Sequence, residues 1–192
     1  LEEQIVTIHD LSRGGSGVAK LETGEIVFVP FTAPGDRVRV RILERKKNYA
    51  QGDVVEWISK SPGRADPPCP VFSRCGGCSW QHLDYDLQFE TKRKGLLHAL
   101  SRAAVSTEGV PVDSMPARTS YGYRNRIQLH GDTRTDSLGF HVRGTKEIIN
   151  ITSCPIADPR INEKLPGFRN EGMSNFQGEF KLELDLAPDG SV

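Results

Sequence analysis

Net charge is what this chain most plainly lacks: 25 lysines and arginines stand against 25 aspartates and glutamates in 192 residues, a formal charge of zero. Overall basicity therefore gives no reason to expect a nucleic-acid partner, and any such argument has to be local. No run approaches the roughly 18 apolar residues that cross a bilayer, and no charged-then-apolar leader opens the chain. A cytoplasmic protein with no membrane partner is expected, and nothing speaks for more than a monomer. No glycine-rich loop stands between a strand pattern and a helix pattern, so Gly14-Gly15-Ser16-Gly17 reads as a turn rather than a phosphate cradle. His9, His82, His98, His130 and His141 have no metal-ligand spacing, although His82 lies only four residues beyond Cys78. Internal repeats and low-complexity segments are absent. The apolar fraction of 36% and the 19 glycines are those of an ordinary globular protein, which excludes global disorder.

What is present is mainly β. Five strand patterns occupy residues 5–11, 18–21, 26–29, 38–43 and 53–58, separated by turns at Gly14-Gly15, Thr23-Gly24, Pro34-Gly35 and Gln51-Gly52. That density of short strands predicts a five-stranded OB-like barrel over residues 1–60. The proline-rich stretch 59–68 breaks both strand and helix periods and is the expected domain boundary. Beyond it, residues 61–192 predict a mostly antiparallel α+β domain: one long helix over 84–104 capped by Asp84, then strands over 123–130, 138–142, 147–151 and 180–186. The helix stripe is Leu87, Leu96, Leu97, Leu100 and Ala103. The chain opens on Leu1-Glu2 rather than methionine. It closes with Pro188-Asp189-Gly190 and Ser191-Val192, which read as a turn and the start of a returning strand. A portion of a longer protein, incomplete at the C-terminal end of its second domain, is expected.

Cys69, Cys75, Cys78 and Cys154 are all the cysteines, in the order C-x5-C-x2-C and then one remote thiol. Gly76 and Gly77 let the backbone wrap tightly between the last two of the first three. Two disulfides are disfavoured in a reducing compartment. Four thiolates suit either a structural zinc or an iron-sulfur cluster, where a proline after a ligating cysteine is familiar, as in Cys69-Pro70 and Cys154-Pro155. Spacing leaves both open.

Charge is unevenly spread. Residues 37–47 hold Arg37, Arg39, Arg41, Arg45, Lys46 and Lys47 against Glu44 alone. The arginines alternate with Val38, Val40 and Ile42, which places three guanidiniums on one face of a strand, where phosphates of RNA or DNA would relieve their mutual repulsion. Tyr49 offers a stacking face for a base. A solvated charged edge that guards the strand against aggregation is the plainer alternative. A second candidate patch is Tyr121, Tyr123, Arg124, Asn125 and Arg126. Residues 171–192 carry five acidic side chains against Lys181, so the overall zero is a cancellation between regions.

The block Cys69-Pro70-Val71-Phe72-Ser73-Arg74-Cys75-Gly76-Gly77-Cys78, followed by Gln81-His82, Tyr85, Gln88 and Lys92, resembles the cluster-binding segment of the RNA uracil-5-methyltransferases, especially the bacterial 23S ribosomal RNA enzymes. Upstream, Gly14-Gly15-Ser16-Gly17-Val18-Ala19, Val27-Phe28-Val29-Pro30 and Pro34-Gly35-Asp36 resemble their TRAM domain, an OB-like RNA-binding barrel; downstream, Tyr123-Arg124-Asn125-Arg126, Leu138-Gly139-Phe140 and Cys154-Pro155-Ile156 continue the likeness. The resemblance implies that Cys69, Cys75, Cys78 and Cys154 hold a [4Fe-4S] cluster in place of zinc, and that S-adenosylmethionine is the methyl donor. It also implies that RNA, ribosomal rather than transfer RNA, is the partner. In that family a cysteine thiolate adds to C6 of uracil so that C5 takes the methyl group. That nucleophile and the cofactor fold lie C-terminal to the matched segments, so no residue here is assigned a catalytic role. Arg37, Arg39, Arg41, Lys46, Lys47, Tyr49, Arg124 and Arg126 are the expected RNA contacts. A stand-alone, metal-stabilised RNA-binding protein is the rival reading.

Overall fold

A computed structural model of the protein is described here for residues 2–192. The chain is mainly β with two α-helices and forms two compact units, one of the described residues up to Pro67 with Ser79–Pro116, the other of Pro68–Cys78 with Ala117–Val192.

In the first unit, β1 (Glu3–Thr7), β2 (Asp10–Leu11), β3 (Gly17–Lys20), β4 (Ile26–Val29), β5 (Arg37–Arg45) and β6 (Tyr49–Ser59) form one sheet in the order β1-β5-β6-β4-β3-β2. Its two edge strands are consecutive in the chain, so the sheet curls back on itself through Ile8 and His9. There the Ile8 N–H donates to the Asp36 carbonyl at 2.8 Å and the His9 N–H to the Val18 carbonyl at 2.9 Å. The first expected strand is therefore broken in two by the closure. Alternation places Val38, Val40 and Ile42 of β5 in the core with Val6, Ile8, Val27 and Val29. The long β5–β6 hairpin shifts register at three places, and such bulges give the bend that a closed sheet requires.

Helix α1 (Tyr85–Arg102) starts where the sequence predicts, with the Asp84 carboxylate accepting the Leu87 N–H at 2.7 Å. None of its residues is buried. The apolar stripe stays open, with Leu96 54% exposed, and Leu87 alone reaches a small cluster of Leu11, Ala33, Leu83 and Trp80.

The chain first passes from one unit to the other between Pro67 and Pro68, inside the proline-rich stretch, while residues 61–67 and α1, expected in the second domain, belong with the curled sheet. Asp36, fully buried, is the reason. Its carboxylate accepts the Ala33 N–H at 2.6 Å, the Ser61 N–H at 2.7 Å and the Arg64 guanidinium at 2.7 Å. Arg64 also bridges by its backbone to Leu83 and stacks over Trp57 at 4.5 Å.

Beside this knot lies His82, 1% exposed, whose Nε2–H donates to the Thr32 carbonyl at 3.1 Å. Burial, which disfavours the imidazolium, pulls its pKa from 6.5 down to about 4. Above pH 6.5 both folded and unfolded forms are neutral and His82 costs nothing. As pH falls toward 4 the unfolded chain takes up a proton that the folded chain refuses, so stability is lost across that window. Between pH 7 and pH 5 the loss attributable to His82 should be about 2 kcal/mol, read as the part of the urea-unfolding difference that disappears in His82→Gln. An equal pH dependence in that variant would remove His82 as its source.

In the second unit, β7 (Arg126–Asp132), β8 (Ser137–His141), β9 (Ile148–Asn150) and β10 (Glu179–Asp185) make an antiparallel sheet in the order β10-β7-β8-β9. Ile127, Leu129 and Leu138 share its core with Phe180, Leu182 and Leu184 of β10. A second helix, α2 (Pro159–Gly167), buries Ile161 and Leu165 in the same core. The expectation of one helix is corrected here. Two prolines and a glycine are unusual in nine helical residues, yet proline is at home in a first turn, Asp158 caps it, and Ile161 and Leu165 are spaced i, i+4. Pro166 falls in the last turn, after which Phe168–Gly172 widens into a π-helical turn. The turn near the end forms, with the Gly190 N–H on the Ala187 carbonyl at 2.9 Å, but Ser191 and Val192 are not a strand.

Candidate functional site

All four cysteines lie in the second unit, and none is in a disulfide. The segment carrying three of them is pinned to the end of β8. Cys75 bridges Val142, the Gly76 N–H donates to the His141 carbonyl at 3.0 Å, and the Arg143 guanidinium donates to the Cys78 carbonyl at 2.8 Å. Cys154 is held from α2: its N–H donates to Asn162 Oδ1 at 2.8 Å, and Asn162 Nδ2 donates back to its carbonyl at 3.1 Å. Asn162 escaped the sequence reading, because an amide side chain clamping a remote backbone leaves no spacing signal.

Burial pushes the Cys75 and Cys154 thiols up, and the Cys69 and Cys78 sulfurs add to the rise at both. Cys69 and Cys78 are thus within electrostatic reach of both buried thiols. Backbone N–H groups point at sulfur in both buried cases, Gly77 toward Cys75 at 3.4 Å and Ile156 and Ala157 toward Cys154, and they act in the opposite direction by favouring thiolate. Among the described residues no three His, Cys, Asp or Glu side chains stand close enough together to grip an ion. What speaks for a thiolate-held centre is therefore the chemistry of the donors and not their spacing: four reduced sulfurs, buried or half-buried, with N–H groups supplied to two of them.

The cation stripe is different from its sequence description. Across the sheet Glu3 stands opposite Arg41 and Glu56 opposite Arg39. Arg41 pairs with Glu3 at 2.8 Å and Arg39 with Glu56 at 2.8 Å, while Arg45 pairs with Glu2 at 2.7 Å and with Glu25, and Lys46 with Glu44. The repulsion expected to call for phosphate is answered by carboxylates from β1, β6 and the β3–β4 turn, which counting along one strand does not see. Arg37 and Lys47 make no ion pair among the described residues. Tyr49 meets Phe28 edge to face at 5.3 Å. In the second unit Arg126 pairs with Glu183 and Asp185, which also answers part of the acidic excess near the end of the chain. Arg124 is exposed and uses its backbone to tie to Ile156 and Asp158; Tyr123 is exposed, whereas Tyr121 packs on the core.

Comparison with known proteins gives these residues a context. Residues 2–55 match the TRAM domain family. An uncharacterised RNA methyltransferase of Nostoc sp. is 41% identical over 83% of this chain and 35% of its own length. The 23S rRNA (uracil(1939)-C(5))-methyltransferase RlmD of Erwinia tasmaniensis is 37% identical over 97% of this chain and 43% of its own length. Among solved structures, the Pyrococcus abyssi tRNA (uracil-54, C5)-methyltransferase in complex with S-adenosyl-L-homocysteine is similar over 87% of this chain and 37% of its own, with 30% identity and a TM-score of 0.57. The chain thus spans well under half the length of these relatives. No helix among the described residues is long and apolar enough to cross a membrane.

Proposed function

We propose that this chain is the RNA-recognition and iron-sulfur portion of an S-adenosylmethionine-dependent RNA uridine C5-methyltransferase that acts on ribosomal RNA in the cytoplasm. The observation that carries this reading is the extent of the likeness: proteins named as RNA methyltransferases match from the TRAM segment through the cysteine-bearing unit, over 83–97% of the chain. Cys69, Cys75, Cys78 and Cys154 would hold the cluster. Its contribution when bound is a crosslink between the segment at 69–78 and the start of α2, with thiolate ligation supplying the energy. With all four thiols so used, no cysteine of this chain is free to attack uracil.

The chain's own work is then to bind and orient RNA. Arg37 and Lys47 meet phosphate without giving up a carboxylate partner, whereas Arg39, Arg41 and Lys46 exchange theirs. Tyr49 with Phe28 offers an aromatic surface beside them, and Arg124 and Arg126 contribute from the second unit. Exchange of one exposed anion for another costs little, since solvent screens exposed ion pairs.

Incubated with S-adenosylmethionine carrying a labelled methyl group, the chain should bind a 23S ribosomal RNA fragment more tightly than transfer RNA, lose affinity as salt rises, and transfer no label. Methylation by this chain alone would overturn its assignment as a recognition portion. Tighter binding of transfer RNA would redirect the substrate.

A further inference from the structure

Within the first unit a groove of about 790 Å³ separates α1 from the β2 edge of the curled sheet. We propose that this groove is a subsite for a single-stranded segment of RNA. The proposal rests on the RNA reading above and adds to it a place the stripe did not indicate.

Charge is the first argument. Arg13, Lys92 and Lys94 line the groove, all three are exposed, and none forms an ion pair among the described residues. The stripe on β5 is mostly satisfied by the protein's own carboxylates, so these three cations are the more available partners for phosphate. The acid in the lining, Asp10, has an oxygen committed to the Leu11 N–H at 2.8 Å.

Shape and chemistry are the second. The volume is within the roughly 300–1,000 Å³ of sites that take small ligands. The helix stands clear of the sheet here, and a Cβ built on Gly95 would meet nothing within 4 Å. The indole of Trp80 forms part of the wall, with the Lys92 ammonium 5.5 Å from its ring centre. Gly15, at φ +86°, presses bare backbone against that indole: a Cβ there would stand 3.0 Å from the ring. The aromatic wall is therefore held in place while the lysine over it is free to move aside. His9 and His98 add two more flat rings. Cations interleaved with rings are what a single strand requires, phosphates meeting the former and bases the latter. An acidic peptide would use the cations alone.

The test uses the full chain and a fluorescently labelled single-stranded RNA oligonucleotide, with circular dichroism confirming that each variant is folded. The double variant Lys92→Ala, Lys94→Ala should bind at least about ten-fold more weakly, and its slope of log affinity against log salt should shrink by about 1.4, two phosphate contacts at about 0.7 each for a single strand. Arg39→Ala, Arg41→Ala should change affinity less. In Trp57→Phe, which leaves Trp80 as the one tryptophan of the chain, RNA should quench the remaining emission. Unchanged affinity and slope in the groove variant, with the wild type binding normally, would overturn the subsite and leave the RNA reading standing. No binding by the wild type would overturn both. Polyglutamate of matched charge competing as well as RNA would replace the nucleic acid with an acidic protein.

Discussion

Asp36→Ala is expected to destabilise the first unit by about 3–5 kcal/mol, the usual cost of removing one partner from a buried ion pair. The carboxylate is fully buried and accepts from three donors that come from two separate parts of the chain: Ala33 in the turn before β5, and Ser61 and Arg64 beyond β6. Removing it leaves two backbone N–H groups without an acceptor and the Arg64 guanidinium, 19% exposed, without a counter-charge. Arg64 also lies over Trp57, together with Lys60, and donates to the Phe31 carbonyl at 3.2 Å. The whole return of the chain from β6 to the segment before α1 should therefore loosen. Both tryptophans, Trp57 and Trp80, lie in this unit, so urea unfolding followed by tryptophan emission reports on it alone. A loss under 1 kcal/mol would show that water replaces the carboxylate and that Asp36 is not the hub.

Cys154→Ser should empty the proposed cluster site and cost the second unit several kcal/mol when the comparison is made with the iron-loaded protein. The reason is positional. Cys69, Cys75 and Cys78 lie on one short segment docked at the end of β8, whereas Cys154 is held by Asn162 of α2, so it is the one ligand that ties that segment to the helix. A serine hydroxyl preserves the backbone clamp but is a poor substitute for a thiolate. Iron content and thermal unfolding followed by circular dichroism are the readouts. Full iron occupancy with unchanged melting would take Cys154 out of the ligand set, and the first unit, followed by tryptophan emission, should be unaffected either way.

How much of this was legible in the sequence varies with the range of the signal. Period-two alternation located β3, β4 and β5, because which side of a strand faces the core is written locally in residues such as Val38, Val40 and Ile42. Asp84 marked the start of α1 for the same reason. What escaped was long-range. Residues 61–67 read as a linker because Pro62 and Gly63 break every local period, while the feature that anchors them is a carboxylate 25 residues earlier. The stripe read as unbalanced because Glu3 and Glu56 become its neighbours only through strand pairing. The groove had no local signature at all: Arg13, Trp80 and Lys92 meet there only because the sheet closes and α1 returns alongside it. Helix α2 is the opposite case, a local signal in Asp158, Pro159, Ile161 and Leu165 that its prolines concealed.

The proposed cluster rests on the cysteine pattern and on the chemistry of its four sulfurs, and it is open to a direct assay. The chain, purified without oxygen, should be brown, absorb near 400 nm and contain about four iron and four sulfide per polypeptide. A colourless protein with one zinc per chain and no iron would contradict the account.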